Sequence, residues 1–221
     1  MKKWLTLAAT AVLGASLLIS GCGSSTNNAS SSGAGSSKAE VLKVAANPVP
    51  HAEILNQIKP LLAKEGVDLQ IIEFTDYIQP NMALSSKEVD ANFFQHKPFM
   101  EQFNAKNKGN LVAVQPIYNA TVAFYSKDIK DIKDLKNGAD VAIPSDPTNM
   151  ARALRLLDHG KVITLKDPNS YTVTVDDIKE NPKNLKFTEL EAGQLARSLS
   201  STTLAAVPGN FALAAKFDLT K

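Results

Sequence analysis

Cysteine is nearly absent. The chain of 221 residues has one, Cys22, so no disulfide can close within it and an apolar core must hold it together. Histidine occurs three times, at His51, His96 and His159. These are too scattered to suggest a metal cluster, and neither a metal nor another cofactor is expected. No P-loop, GxSxG or HExxH pattern occurs, which removes the familiar signatures of catalysis. No catalytic residue is assigned, and the chain is not expected to be an enzyme. An excess of one charge is also missing. Lys and Arg total 24 against 22 Asp and Glu. Cleavage of a leader containing Lys2 and Lys3 leaves 22 of each. Nucleic-acid partners demand a basic stripe, so none is expected.

A membrane-spanning run is lacking too. Residues 4–19 are uncharged, but a crossing helix needs roughly 20 apolar residues. The basic start, the short apolar run and the small residues of "SGC" read as an export signal over residues 1–21. An unpaired cysteine at that point needs a special role. "ISGC" resembles the bacterial lipobox, in which the cysteine is lipidated and opens the mature chain. Each buried CH₂ of such an anchor contributes about 0.8 kcal/mol. Residues 22–40 then combine the lipidated Cys22 with a Ser/Gly-rich linker. Such sequence behaves as a flexible coil with a reach of roughly 20–25 Å. The expectation is a monomeric body tethered by lipid to the cell membrane at its extracytoplasmic face, in the periplasm or on the outer surface.

What is present is alternation. "VLKVAAN" (41–47) reads as a strand, and residues 51–66 as a helix with Ile54, Leu55, Ile58, Leu61 and Leu62 on one face. Pro60 should kink or divide that helix. "VDLQIIEF" (67–74), "DANFF", "LVAVQPIY" (111–118) and "ATVAFYS" (120–126) are further strand candidates. "DVAIP", a helix over 148–160 and "VITL" make a β-α-β pattern, and strand and helix alternate again to the end. This predicts α/β layers around mostly parallel sheets, with ligands beyond the C-terminal ends of strands.

Two stretches carry polar groups of interest. In "DANFFQHKPF" (90–99), Phe94 and His96 would share one face of a continued strand, with Phe93 on the other. Local chemistry alone reads these phenylalanines as core. In "SDPTNMARAL" (145–154), the Asp–Pro–Thr group starts a helix, and helix N-termini attract anions. Asn149 and Arg152 are three apart and share a face. Arg152 can fork onto a carboxylate or be a solvated surface charge. Arg155 and Arg197 read as surface charges.

Six segments together resemble one family: "PHAEIL" (50–55), "EFTDYIQPNMAL" (73–84), "DANFFQHKPF", "VAIPSDPTNMARAL" (141–154), "ENPKNLKFTELEAGQLARSL" (180–199) and "GNFALAA" (209–215). They look like the NlpA family of methionine-binding lipoproteins, over residues 41–221. The resemblance implies a periplasmic-binding-protein-like (type II) α/β fold of two lobes with a ligand cleft between them. Residues 41–119 would form lobe 1 and residues 120–221 lobe 2. Methionine, or a close derivative, would be delivered to an ABC permease driven by a cytoplasmic ATPase. Tyr77, Phe94 and Phe99 occupy family positions around the ligand side chain, where aromatic walls suit a thioether. His96 would hydrogen-bond the ligand, and Asn149 and Arg152 would hold its carboxylate.

The chain departs from the family pattern at three places. Pro208 replaces an Asn that helps hold the ligand, and Asn210 need not face the site. "YNATVAFYS" stands where relatives carry an acidic or polar group. Both changes fall on the ammonium side, where an unpaired charge is costly to bury. Relatives also continue past Lys221 with a segment that returns to lobe 1, so the resemblance implies a closing segment that these 221 residues do not include. Three other readings stay open: a receptor for a different small ligand, an anchored hydrolase, and a surface lipoprotein without a transport role.

Overall fold

The computed structural model describes residues 39–219. The export signal, Cys22 and most of the linker lie outside the described residues. Strand β1 (Glu40–Ala46) ends in the buried run Val44, Ala45 and Ala46. Helix α1 (Glu53–Lys64) carries the chain back to β2 (Val67–Glu73), parallel to β1. Pro60 sits inside α1 without dividing it. Proline forfeits a hydrogen bond to the carbonyl four residues earlier. Asn56 and Pro60 are both exposed, so water can serve that carbonyl. The apolar stripe of α1 is only half covered. Leu55 is buried, whereas Ile58 is 38% and Leu61 56% exposed.

Helix α2 (Gln79–Ser85) leads to β3 (Ala91–Phe93), which pairs parallel with the other edge of β1. The first sheet therefore runs β2-β1-β3. Helix α3 (Lys97–Asn107) follows. Residues 111–118, expected as a strand, are not one. Val112 is 78% and Val114 90% exposed. Strand preference reflects fit to a neighbouring pleated surface, and among the described residues no strand lies alongside this segment.

The second sheet begins with β4 (Val122–Tyr125) and β5 (Asp140–Pro144), followed by α4 (Pro147–His159). Strand β6 (Thr164–Leu165) then pairs antiparallel with β7 (Ile178–Glu180) in a separate ribbon. The expected return of "VITL" beside β5 does not occur. Val162 and Ile163 instead fill the core formed with Leu154 and Leu157. The parallel neighbours of β5 are β8 (Lys186–Leu190) and, after the short helix α5 (Leu195–Ser198), β9 (Leu204–Pro208). The sheet order is β4-β9-β5-β8, with β4 antiparallel to β9. Helix α6 (Gly209–Ala214) leaves β9 directly.

Helix α4 is the main support of this sheet. Asp146 caps its start by accepting from the Asn149 N–H at 2.9 Å. Met150, Ala151, Ala153, Leu154 and Leu157 bury its inner face against β5 and β9. Leu154 has no exposed surface. A Leu154→Ala variant should lose about 2–5 kcal/mol of stability, read as a lowered urea midpoint.

Candidate functional site

The strand ends converge. Phe94 follows β3, Asp146 follows β5 within two residues, and Pro208 ends β9. Between them lies a cleft bordered by all six of the expected residues, Tyr77, Phe94, His96, Phe99, Asn149 and Arg152. Contrary to the expectation from sequence, Phe94 and His96 do not share a strand face. No strand continues past Phe93, so alternation does not align them. A bend turns the chain into α3, and His96 is the residue before its first turn. Phe93 packs against the core of Val44, Ala46, Ala52, Leu55 and Leu69, edge-on to His51 at 4.9 Å.

Three rings form the apolar wall. Tyr77 and Phe94 lie 5.9 Å apart, Tyr77 and Phe99 5.8 Å, and Phe94 and Phe99 5.9 Å at 82°. Tilted and edge-to-face contacts at this spacing are favourable. Tyr77 also joins the lobes. Its hydroxyl donates to Asn210 Oδ1 at 2.5 Å, and its ring stacks obliquely on Phe211 at 5.1 Å. Burial pushes the Tyr77 pKa up, and the Asp146 charge adds to this, so the hydroxyl stays a donor. Asn210 thus does face the site.

The polar wall belongs to α4. Asp146 receives both the Asn149 N–H and the Asn149 side-chain NH₂, the latter at 3.1 Å. The start of α4 is therefore occupied by its own cap, and this part of the helix N-terminus is not free for an anion. Arg152 supplies the positive charge instead. Its Nη1 donates to Asn149 Oδ1 at 3.0 Å and its Nη2 to the Ala120 carbonyl. Asp146 holds Asn149, and Asn149 holds the guanidinium. Burial lowers the Arg152 pKa, opposed by Tyr77 and Asp146, but a guanidinium stays charged at any ordinary pH.

His96 supplies an unmet hydrogen bond. Its Nε2 is buried with no partner among the described residues. Burial, with Arg152 nearby, lowers its pKa to about 4, so the ring is neutral at pH 7. The local reading missed His51, Gln95, Ala120, Thr121 and Pro208 as cleft residues. His51 is 2% exposed and shares a 2.7 Å hydrogen bond with the Tyr118 hydroxyl. No local pattern marks it, since Tyr118 lies 67 positions away. Arg155 lies outside the cleft, over the Tyr171 ring at 4.4 Å, and Arg197 is exposed.

Free space at the centre of the cleft is about 20 Å³, close to the room needed for one water. A small ligand needs the walls to part. Tyr77 and Asn210 also border a larger hollow of about 490 Å³ near Asn47 and Arg197, but it holds neither the free His96 nitrogen nor Arg152. Among the described residues no three His, Cys, Asp or Glu side chains gather to hold a metal.

The profile of the NlpA lipoprotein family matches residues 42–221. The chain belongs to that family. The D-methionine-binding lipoprotein MetQ of Salmonella typhi is 41% identical over 219 residues, 99% of this chain and 77% of that protein. MetQ of Escherichia coli K12 is equally similar, 41% over 219 residues. A nutrient-binding protein of Burkholderia cenocepacia, solved bound to methionine, superposes with a TM-score of 0.79 at 41% identity. That match covers 81% of this chain and 76% of the other. The substrate-binding protein of a methionine transporter from Streptococcus pneumoniae gives a TM-score of 0.78 at 39% identity, covering 81% and 72%. The chain has the two-lobed α/β fold of substrate-binding lipoproteins.

Buried His51 and half-buried His96 set a pH dependence. His51 is also lowered to about 4, by burial, against a raising contribution from the Val49 carbonyl. Below the ordinary value of 6.5 the unfolded chain takes up protons that the folded one refuses until about 4. Stability should therefore be complete above pH 6.5 and fall as pH drops toward 4. Urea midpoints across that window should show a shallower slope in a His96→Gln variant.

Proposed function

We propose that this protein is a membrane-anchored receptor that binds methionine, or a close derivative, and delivers it to an ABC importer. The observation that carries the reading is the pairing of a three-ring wall with a half-buried guanidinium across one cleft. A thioether suits the rings, and a carboxylate suits the fork of Arg152. The relatives named above as methionine-binding support the choice of ligand. Tyr77, Phe94 and Phe99 contact the side chain in this reading. Arg152, oriented by Asn149, takes the carboxylate, and His96 Nε2 makes a hydrogen bond to the ligand. The family is one of substrate-binding proteins and not of enzymes.

Lobe 1 is residues 41–119 and lobe 2 is residues 120–221. Binding requires the lobes to separate across the Tyr77–Asn210 bond and close again over the ligand. The closed form is what a permease would recognise, because ligand-dependent closure ties docking to cargo. Residues 1–21 direct export, Cys22 carries the lipid, and the linker gives the monomeric body its reach on the extracytoplasmic face. Pro208 borders the cleft without a polar side chain, which favours one second reading, a different small ligand on the same fold. Native mass spectrometry of freshly purified protein separates the two by the mass of what is retained.

Calorimetry with methionine should give a single site, and Arg152→Ala should weaken it ~100-fold, the scale of removing one partner of a buried charge pair. Absence of heat with methionine in either stereochemistry would sink the reading. For the anchor, Cys22→Ala should move the protein from the membrane pellet to the soluble fraction, checked by immunoblot after ultracentrifugation.

A further inference from the structure

We propose that the ligand's amino group is held by a main-chain carbonyl, that of Ala120, which Arg152 releases when the ligand's carboxylate arrives. The proposal rests on the methionine reading and assigns the half of the ligand left without a partner.

Arg152 spends its two terminal nitrogens on two neutral acceptors, Asn149 Oδ1 and Ala120 O. The two are not equally fixed. Asn149 is tied to Asp146 through both its N–H and its NH₂, so its bond to Arg152 is braced. Ala120 lies in a stretch without regular structure before β4. A carboxylate that takes the guanidinium fork therefore displaces the carbonyl and not the amide. The released carbonyl is a cleft-lining acceptor, and inside a closed cleft it cannot stay unpaired without cost. The ammonium of an α-amino acid is attached one carbon from the carboxylate. It arrives beside the acceptor that its own carboxylate has just freed.

No carboxylate or carboxamide oxygen of the described cleft wall is free for it. Among the described residues that line it, none is Asp or Glu. Asn210 Oδ1 is occupied by Tyr77, Gln95 Oε1 by the Asn81 amide at 2.9 Å, and Thr121 O by the Gly209 N–H at 2.9 Å. Pro208 offers no side-chain acceptor. The exchange explains how a cleft without an acidic wall can select a zwitterion: each end of the ligand satisfies one half of a protein pair that the fold itself makes.

The Ala120 carbonyl can be observed singly. Outside the export signal, Ala120–Thr121 is the only Ala–Thr peptide of the chain. Labelling alanine carbonyl carbons with ¹³C and threonine nitrogens with ¹⁵N therefore gives one carbonyl-to-amide correlation from the processed protein. It is titrated with methionine and with 4-(methylthio)butanoate, the same molecule without its amino group. The deaminated compound should bind roughly 10- to 100-fold more weakly by calorimetry, the scale of one hydrogen bond to a charged group. It should also move the carbonyl resonance upfield, as a lost hydrogen bond does, whereas methionine should leave the carbonyl bonded and downfield. Equal shifts with both ligands, or no shift with either while both bind, overturn the proposal. Absence of heat with methionine instead overturns the functional reading beneath it, so the two failures are distinct.

Discussion

The site depends on one constraint: a guanidinium taken out of bulk water must be paired at every step. Arg152 is half-buried between the lobes, and it cannot shed its charge. The fold meets this with a relay. Asp146 caps α4, holds Asn149, and through Asn149 holds Arg152. The same carboxylate thus starts the helix, orients the amide and lends its field to the cation. The far side of the guanidinium reaches the Ala120 carbonyl, in the irregular stretch just before β4. The guanidinium that borders the cleft is thereby aimed and balanced.

The apolar wall is built on the opposite lobe and follows a different logic. Tyr77, Phe94 and Phe99 come from three separate places along lobe 1, a loop, the end of a strand and the first turn of a helix. They meet because β1 is central in its sheet and its neighbours end at the same level. Tyr77 then uses its hydroxyl to reach Asn210, so a residue that lines the cleft also closes it. Opening breaks a hydrogen bond and a ring contact, both modest in net energy. That suits a hinge, whose two states must lie within a few kcal/mol of one another.

Much of the fold is legible in the chain. The apolar stripe of α4, with Asp146 before it and Gly160 after, marks both its face and its ends. The buried runs of β1, β5 and β9 read as strands for the same reason, an unbroken apolar stretch bounded by turn residues. The failures have physical causes. Residues 111–118 have strand composition, but a strand also needs a partner edge. Val162 and Ile163 look like strand residues because they are buried, yet burial in a loop beneath a helix produces the same letters. Pro60 disturbs α1 less than expected because its side of the helix faces water.

By itself the sequence determined the class of the molecule: an unpaired cysteine after an apolar leader, a neutral α/β body, and family segments that named six of the residues lining the cleft. Those segments carry side-chain identity, which is a property of single positions. What only the tertiary structure decided is which atoms are free. It placed His51 against Tyr118, gave the N-terminus of α4 to Asp146, turned Asn210 toward Tyr77, and set Arg152 on the Ala120 carbonyl. The reason is that hydrogen-bond capacity is spent in space, between groups far apart along the chain, and a main-chain carbonyl has no letter by which a sequence could announce it.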